Sequence, residues 1–244
     1  MTKKWIVFFS ILSLYAHSQS LKMEYFLEDK NCKIYSEAII TDTLSVIRAL
    51  PEKTECSSNV HYIPGDSKQR GFFVKSKRDN FCYKTEEYSY YVADTLHPMK
   101  WTLTKQTKEI LGFKCKAATT QFRGREYVAY YTEKIPISDG PWKFGGLPGL
   151  ILEVASTDGM YKLSVYKITQ NYKPTPDDFL ELKVLKSTKF ISFQEFVKEY
   201  RKKIDEMLAL MKAQKGTATF TAKFRIDRME VIYPKANAGE GLEY

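Results

Sequence analysis

The chain has 244 residues, a formal net charge of +9, four cysteines and 14% aromatic side chains. That length suits one domain with a sizeable core. The positive charge is spread along the chain with no arginine-rich block, which argues against nucleic acid and fits solubility or weak attraction to anionic headgroups and acidic partners.

The opening MTKKWIVFFSILSLYAHS, residues 1–18, reads as a secretory signal peptide. Lys3 and Lys4 form its charged start, Trp5 to Tyr15 its apolar stretch, and Ala16 and Ser18 the small residues ahead of a cut before Gln19. The apolar stretch is short for a bilayer span. The alternative is an uncleaved anchor. Residues 19–244 are then expected to form a single β-rich domain in the periplasm or associated with an outer membrane.

Cys32, Cys56, Cys82 and Cys115 all survive the cut. An even number in an oxidising compartment favours two disulfides, the alternative being one disulfide plus free thiols. Neighbours in sequence suggest Cys32–Cys56 and Cys82–Cys115, so Cys115 is expected to be oxidised. No pair has C-x-x-C spacing, and His61 and His97 are the mature chain's histidines, so a zinc site has little to build on. No metal or cofactor is expected.

IPGDSKQRG, residues 63–71, reads as a loop. EEYSYYVAD puts Tyr88, Tyr90 and Val92 on one side of a strand. KCKAATTQF and EYVAYYT flank the tight link Arg123-Gly124-Arg125, where Gly124 supplies the positive φ of a hairpin turn. After the turn signal Asp158-Gly159, GMYKLSVYKIT continues as a strand, and NYKPTPDDF is a loop with a short turn at Asp177-Asp178.

Residues 192–216 break the β pattern. Phe193, Phe196, Val197, Tyr200, Ile204, Met207, Leu208 and Met211 recur at helical spacing, as a face that packs on a sheet. Ser192 and Glu195 form a capping box, and Gly216 fits the stop. TATFTAKFRI, residues 217–226, alternates as a half-buried strand. The fold class is α+β and mainly antiparallel β, a curved sheet or open half-barrel with one helix of the C-terminal half packed on it.

The sequence lacks G-x-S-x-G, a phosphate-binding G-x-x-x-x-G-K-[ST] loop and H-E-x-x-H. The carboxylate pairs Glu86-Glu87 and Asp177-Asp178 read as solvated charge. A hydrolase would need a cleft that joins His61 or His97 to a serine, cysteine or carboxylate.

The most distinctive stretch is GPWKFGGLPGLILEV, residues 140–154. Leu147-Pro148-Gly149-Leu150 has the form of a type II turn. Gly145-Gly146 allows close backbone approach, and Leu150, Leu152 and Val154 share a strand face. Lys143 and Glu153 are read as solvent-facing. The segment is a fold-defining corner, or a preformed apolar lip of a cavity made by Trp142, Phe144, Gly146, Leu147, Pro148, Gly149 and Leu150. The string GLPGLI, with the upstream GFKCKA strand, the GRE hairpin and the approach through YT, IP and GP, resembles the GLPGLI family (Porph_ging) of exported Bacteroidetes proteins. The resemblance implies export without an assigned activity, no catalytic residues to carry over, and association with outer-membrane transport systems. The one-helix, strand-rich pattern is also similar to periplasmic lipoprotein carriers, at the level of fold alone.

Two functions compete beside a hydrolase with an unrecognised site. One is a binding or accessory protein whose concave sheet holds an apolar or amphipathic ligand. The other is a structural component docked on an outer-membrane transport complex.

Overall fold

The computed structural model describes residues 20–57, 73–86, 90–213 and 229–230. The signal peptide, His61, the loop at 63–71, Gly216 and the strand expected at 217–226 lie outside the described residues. The strands in chain order are β1 (Leu21–Glu28), β2 (Cys32–Ile40), β3 (Leu44–Ala49), β4 (Glu55–Cys56), β5 (Phe73–Ser76), β6 (Phe81–Glu86) and β7 (Tyr90–Thr95). They continue with β8 (Thr102–Ile110), β9 (Phe113–Phe122), β10 (Arg125–Thr132), β11 (Leu150–Ser156) and β12 (Lys162–Gln170). Helix α1 (Glu181–Ser187), strand β13 (Ile191–Ser192) and helix α2 (Phe193–Ala213) complete the order.

These strands form one sheet, in the order β13-β7-β6-β5-β3-β2-β1-β12-β11-β10-β9-β8, with β4 attached to β2. Neighbours are antiparallel except β13, which runs parallel to β7. The sheet is open, as expected, with β8 and β13 at its ends. Arg123 at φ 47° and Gly124 at φ 84° link β9 to β10, which is the positive-φ pair of a two-residue hairpin turn.

The two helices cover opposite faces. On the outer face Val46 and Val74 pack beneath Leu182, Val184 and Leu185 of α1. Helix α1 was not expected from sequence, because seven residues carry too little periodicity to stand out. The chain then passes the sheet end through β13, and α2 reaches the inner face, where Phe196 meets Tyr90 of β7. The capping box holds: the Glu195 amide donates to Ser192 Oγ at 3.2 Å, and the Ser192 amide to Glu195 Oε2 at 2.7 Å.

The hollow of the sheet is filled by its own chain. Between β10 and β11 the chain folds back and buries Ile135, Phe144 and Leu147 against Met23, Tyr25 and Tyr127 in one core. In β11 Leu150, Ile151, Leu152 and Val154 are all buried, so both faces of this strand are covered.

The cysteines divide differently from the expectation. Cys32 and Cys56 lie directly opposite on β2 and β4 and form a disulfide. Cys82 and Cys115 are free and buried, which corrects the expected second bridge. Cys82 sits on β6 and Cys115 on β9, eight strand positions apart in the sheet. Nearness in sequence was the wrong guide to nearness in this topology.

Candidate functional site

One row of side chains crosses the inner face of four strands. Ser45 of β3 lies opposite Lys75 of β5, Lys75 opposite Cys82 of β6, and Cys82 opposite Asp94 of β7. Directly opposed residues share a face, so the sheet presents a hydroxyl, an ammonium, a thiol and a carboxylate in line. All four are buried. Burial of charge is costly unless every ion is paired, and the segment that carries the GLPGLI string supplies the partners.

Asp139 accepts hydrogen bonds from Ser45 Oγ and Lys75 Nζ, and Lys77 Nζ stands 3.2 Å from its Oδ2. Lys75 Nζ also donates to the carbonyls of Gly140 at 2.8 Å and Phe144 at 3.3 Å. Four residues on, Lys143 Nζ donates to Asp94 Oδ2 at 2.7 Å and to Glu230 Oε1 at 2.6 Å. Its side chain is 0% exposed, which overturns the solvent-facing reading of Lys143. Arg123, in the β9–β10 turn, donates through both terminal nitrogens to Asp94 and also bonds Glu230. Lys84 Nζ approaches Glu230 Oε2 at 3.6 Å. Lys84, Arg123 and Lys143 therefore face Asp94 and Glu230, with positive charge in excess.

The titration behaviour follows from these contacts. Burial would raise the carboxyl pKa of Asp94, yet the Arg123 hydrogen bonds and the Lys143 charge outweigh it and hold the group below its ordinary value. Burial opposes ionisation of Glu230 too, but Lys143, Lys84 and Arg123 bring its pKa down to about 2. Asp139 is likewise held low by Lys75 and Lys77 against its desolvation. Burial pulls Lys143 below the usual lysine range, with Glu230 and Asp94 acting against that. The Cys82 thiol is pushed up to about 12 by burial, only partly offset by Lys143 and Lys84. It stays protonated and is no nucleophile.

The residues proposed as a lip divide between core and surface. Phe144 is 0% exposed, with ring centroids 4.9 Å from Tyr127, 5.5 Å from Trp142 and 6.1 Å from Phe122. Leu147, Gly149 and Leu150 are buried, Trp142 is half-buried, and Gly146 and Pro148 are exposed. Trp101 Nε1 donates to the Gly145 carbonyl at 2.9 Å. The turn is not of type II. The Gly149 amide donates to the Leu147 carbonyl at 2.8 Å, a three-residue turn about Pro148, and the Leu150 amide goes instead to Ile135. A Cβ on Gly149 would lie 2.2 Å from the Thr132 carbonyl oxygen, so glycine is required there by backbone approach. Trp142 at φ 49° breaks the alternation that would have set Lys143 opposite the aromatics.

Two other expected surface charges are also buried. Glu153 accepts from Lys108 at 2.7 Å on the outer face. Asp178 accepts from the Thr175 amide at 2.8 Å and the Tyr172 hydroxyl at 3.0 Å, and so caps a short 3-10 turn.

Beside the ionic cluster lies a cleft of about 920 Å³ between α2 and the end of β7. Asp94 and Arg123 line it, Phe193 and Val197 form an apolar wall, and Lys198, Arg201 and Lys202 contribute cationic side chains. The Arg123 guanidinium lies 3.9 Å over the Phe193 ring. Thus Phe193 and Val197, read from sequence as part of the packing stripe, also face this opening. His97 lines the cleft and a second one of about 550 Å³ beside it, but no hydrogen bond joins it to a carboxylate among the described residues. Among those residues no three His, Cys, Asp or Glu side chains converge as a metal site.

A family model described as "Protein of unknown function (Porph_ging)" matches residues 122–153, which bears out the resemblance read from the sequence over that stretch. No curated protein matches the chain. Among solved structures, PNGF-II is 15% identical with a TM-score of 0.48, over 72% of this chain and 31% of its own. A chain of the Pseudomonas aeruginosa MucA/MucB complex is 10% identical with a TM-score of 0.38, over 65% of this chain and 54% of its own. The chain thus spans about a third of the first and about half of the second.

Proposed function

We propose that this chain is an exported envelope protein that binds an amphipathic ligand in the cleft between α2 and the end of β7. The supporting observation is the pairing there of an apolar wall, Phe193 and Val197, with ionic side chains of both signs, in a volume of about 920 Å³. Cavities of roughly 300–1,000 Å³ suit small organic ligands. The hollow of the sheet is no alternative, because Ile135, Phe144 and Leu147 fill it. Export is supported by the Cys32–Cys56 disulfide together with the secretory reading of residues 1–18. No helix among the described residues is long and apolar enough to cross a membrane.

Native mass spectrometry of the chain released gently from envelopes tests the reading. A co-isolated small molecule should appear with the wild type and be lost in Val197→Trp, which fills the cleft, while the melting temperature holds. A bare chain in both cases would count against a carrier.

A further inference from the structure

Strand β8 ends the sheet, and its outer backbone edge has no partner strand among the described residues. Its even-numbered side chains turn toward the protein: Gln106 accepts from the Tyr130 hydroxyl at 3.4 Å, Lys108 pairs with Glu153 and Ile110 packs on the core. The odd-numbered side chains face solvent. Leu103 is 62% exposed, and Leu111, in the turn that follows, is 46% exposed. Leu111 sits at φ 53° and Gly112 at φ 76°. Asparagine, aspartate or glycine ordinarily fills the first place of such a turn. The chain thus holds an apolar side chain in water, in a conformation that leucine disfavours, and such outliers concentrate at functional positions.

About Thr107 the exposed positions are symmetric in spacing and complementary in charge, with Leu103 on the strand and Leu111 in the turn beyond it. Lys105 and Glu109 stand equally far on either side, and Leu103 and Leu111 stand beyond them. A bulge in β8 sets three of its residues, 104–106, against one of β9 between Leu103 and Thr107, an insertion of two. This even insertion keeps the alternation of faces. Neither Lys105 nor Glu109 has an ion partner among the described residues.

We propose that a second copy of this chain pairs antiparallel along β8, about a two-fold axis through Thr107. In that register Leu103 meets Leu111 of the other copy, Lys105 meets Glu109 and Thr107 meets Thr107. Each contact occurs twice except the one on the axis, as an isologous interface requires. Lysines on an edge strand discourage pairing with arbitrary chains. This register alone neutralises Lys105, so the same charge that blocks other partners selects this one.

Sedimentation velocity of the purified chain over a concentration series tests the pairing. Wild type should dimerise reversibly. Lys105→Glu alone or Glu109→Lys alone sets like charges opposite each other twice per dimer, and should weaken dimerisation by about tenfold or more. The double variant K105E/E109K should restore it. Both positions are exposed, so thermal melts should match wild type and separate loss of pairing from loss of fold. Thr107→Cys should also cross-link across the axis on mild oxidation, and fail to do so in the K105E background. A wild type that stays monomeric throughout, single variants that dimerise unchanged, or a double variant that does not recover would each overturn the proposal.

Discussion

Lys143 is an ammonium with no access to water, held by Asp94 and Glu230. Removing Lys143 takes a buried hydrogen bond from each of Asp94 and Glu230, and breaking a buried ionic set in this way typically costs about 3–5 kcal/mol. Lys143→Ala should lose stability on that scale in urea titration, whereas a solvated lysine would cost within about 0.5 kcal/mol. Its partners stand 49 and 87 residues away along the chain, so no local pattern could reveal them. Gly149 was legible as an obligatory glycine, but for a different reason. With the Thr132 carbonyl where a Cβ would go, Gly149→Ala must move backbone, and overpacking of this kind costs about 1–3 kcal/mol. Gly146 is exposed and its nearest outside atom would be 3.7 Å from a Cβ, so Gly146→Ala should lower the melting temperature less than Gly149→Ala.

At the scale of elements, what could be read was what is local. The β9–β10 hairpin and the capping box of α2 each lie within a few residues and each signal has one cause, so both appear where the sequence places them. The turn between β8 and β9 carries no such signal, since leucine is a poor residue for positive φ. Leu111→Asn should relieve that strain and stabilise the chain by about 1 kcal/mol, measured as a higher melting temperature at a dilution where the chain is monomeric. A lower melting temperature would mean that Leu111 packs within its own chain. The disulfide was half legible for a related reason. Cys32 and Cys56 close a short path through adjacent strands, while Cys82 and Cys115 are placed by strand order, which spacing does not encode.

For the whole molecule, the buried carboxylates set an acid limit. Asp94, Asp139 and Glu230 have pKa values below their ordinary ones. Their ionised forms therefore add stability that is complete above the unfolded values near pH 4. That stability is lost as the pH falls toward the folded values, about 2 for Glu230. Denaturation midpoints should hold steady from neutral pH to about pH 5 and then drop steeply below about pH 4; a flat acid limb would contradict the ionic network. The thiol count offers a separate check. Cys82 and Cys115 are buried, so alkylation without reductant should modify neither in the native chain and both after unfolding. Reduction should then release Cys32 and Cys56, at a loss of roughly 3 kcal/mol for a loop of this length. Labelling of no thiol after unfolding would restore the second bridge.

Strand β1 lies in the middle of the sheet, between β2 and β12, with Leu21 set against Gln170. The consequence concerns timing. A ribosome or a translocation channel delivers β1 early and β12 only after most of the chain has followed. Until then one flank of β1 is bare, and the two halves of the sheet have nothing to join them. Slow loop closure of this kind delays folding and leaves sticky intermediates. Delivery from the N-terminus therefore keeps the two halves of the sheet apart until β12 has arrived, and only then can they zip together.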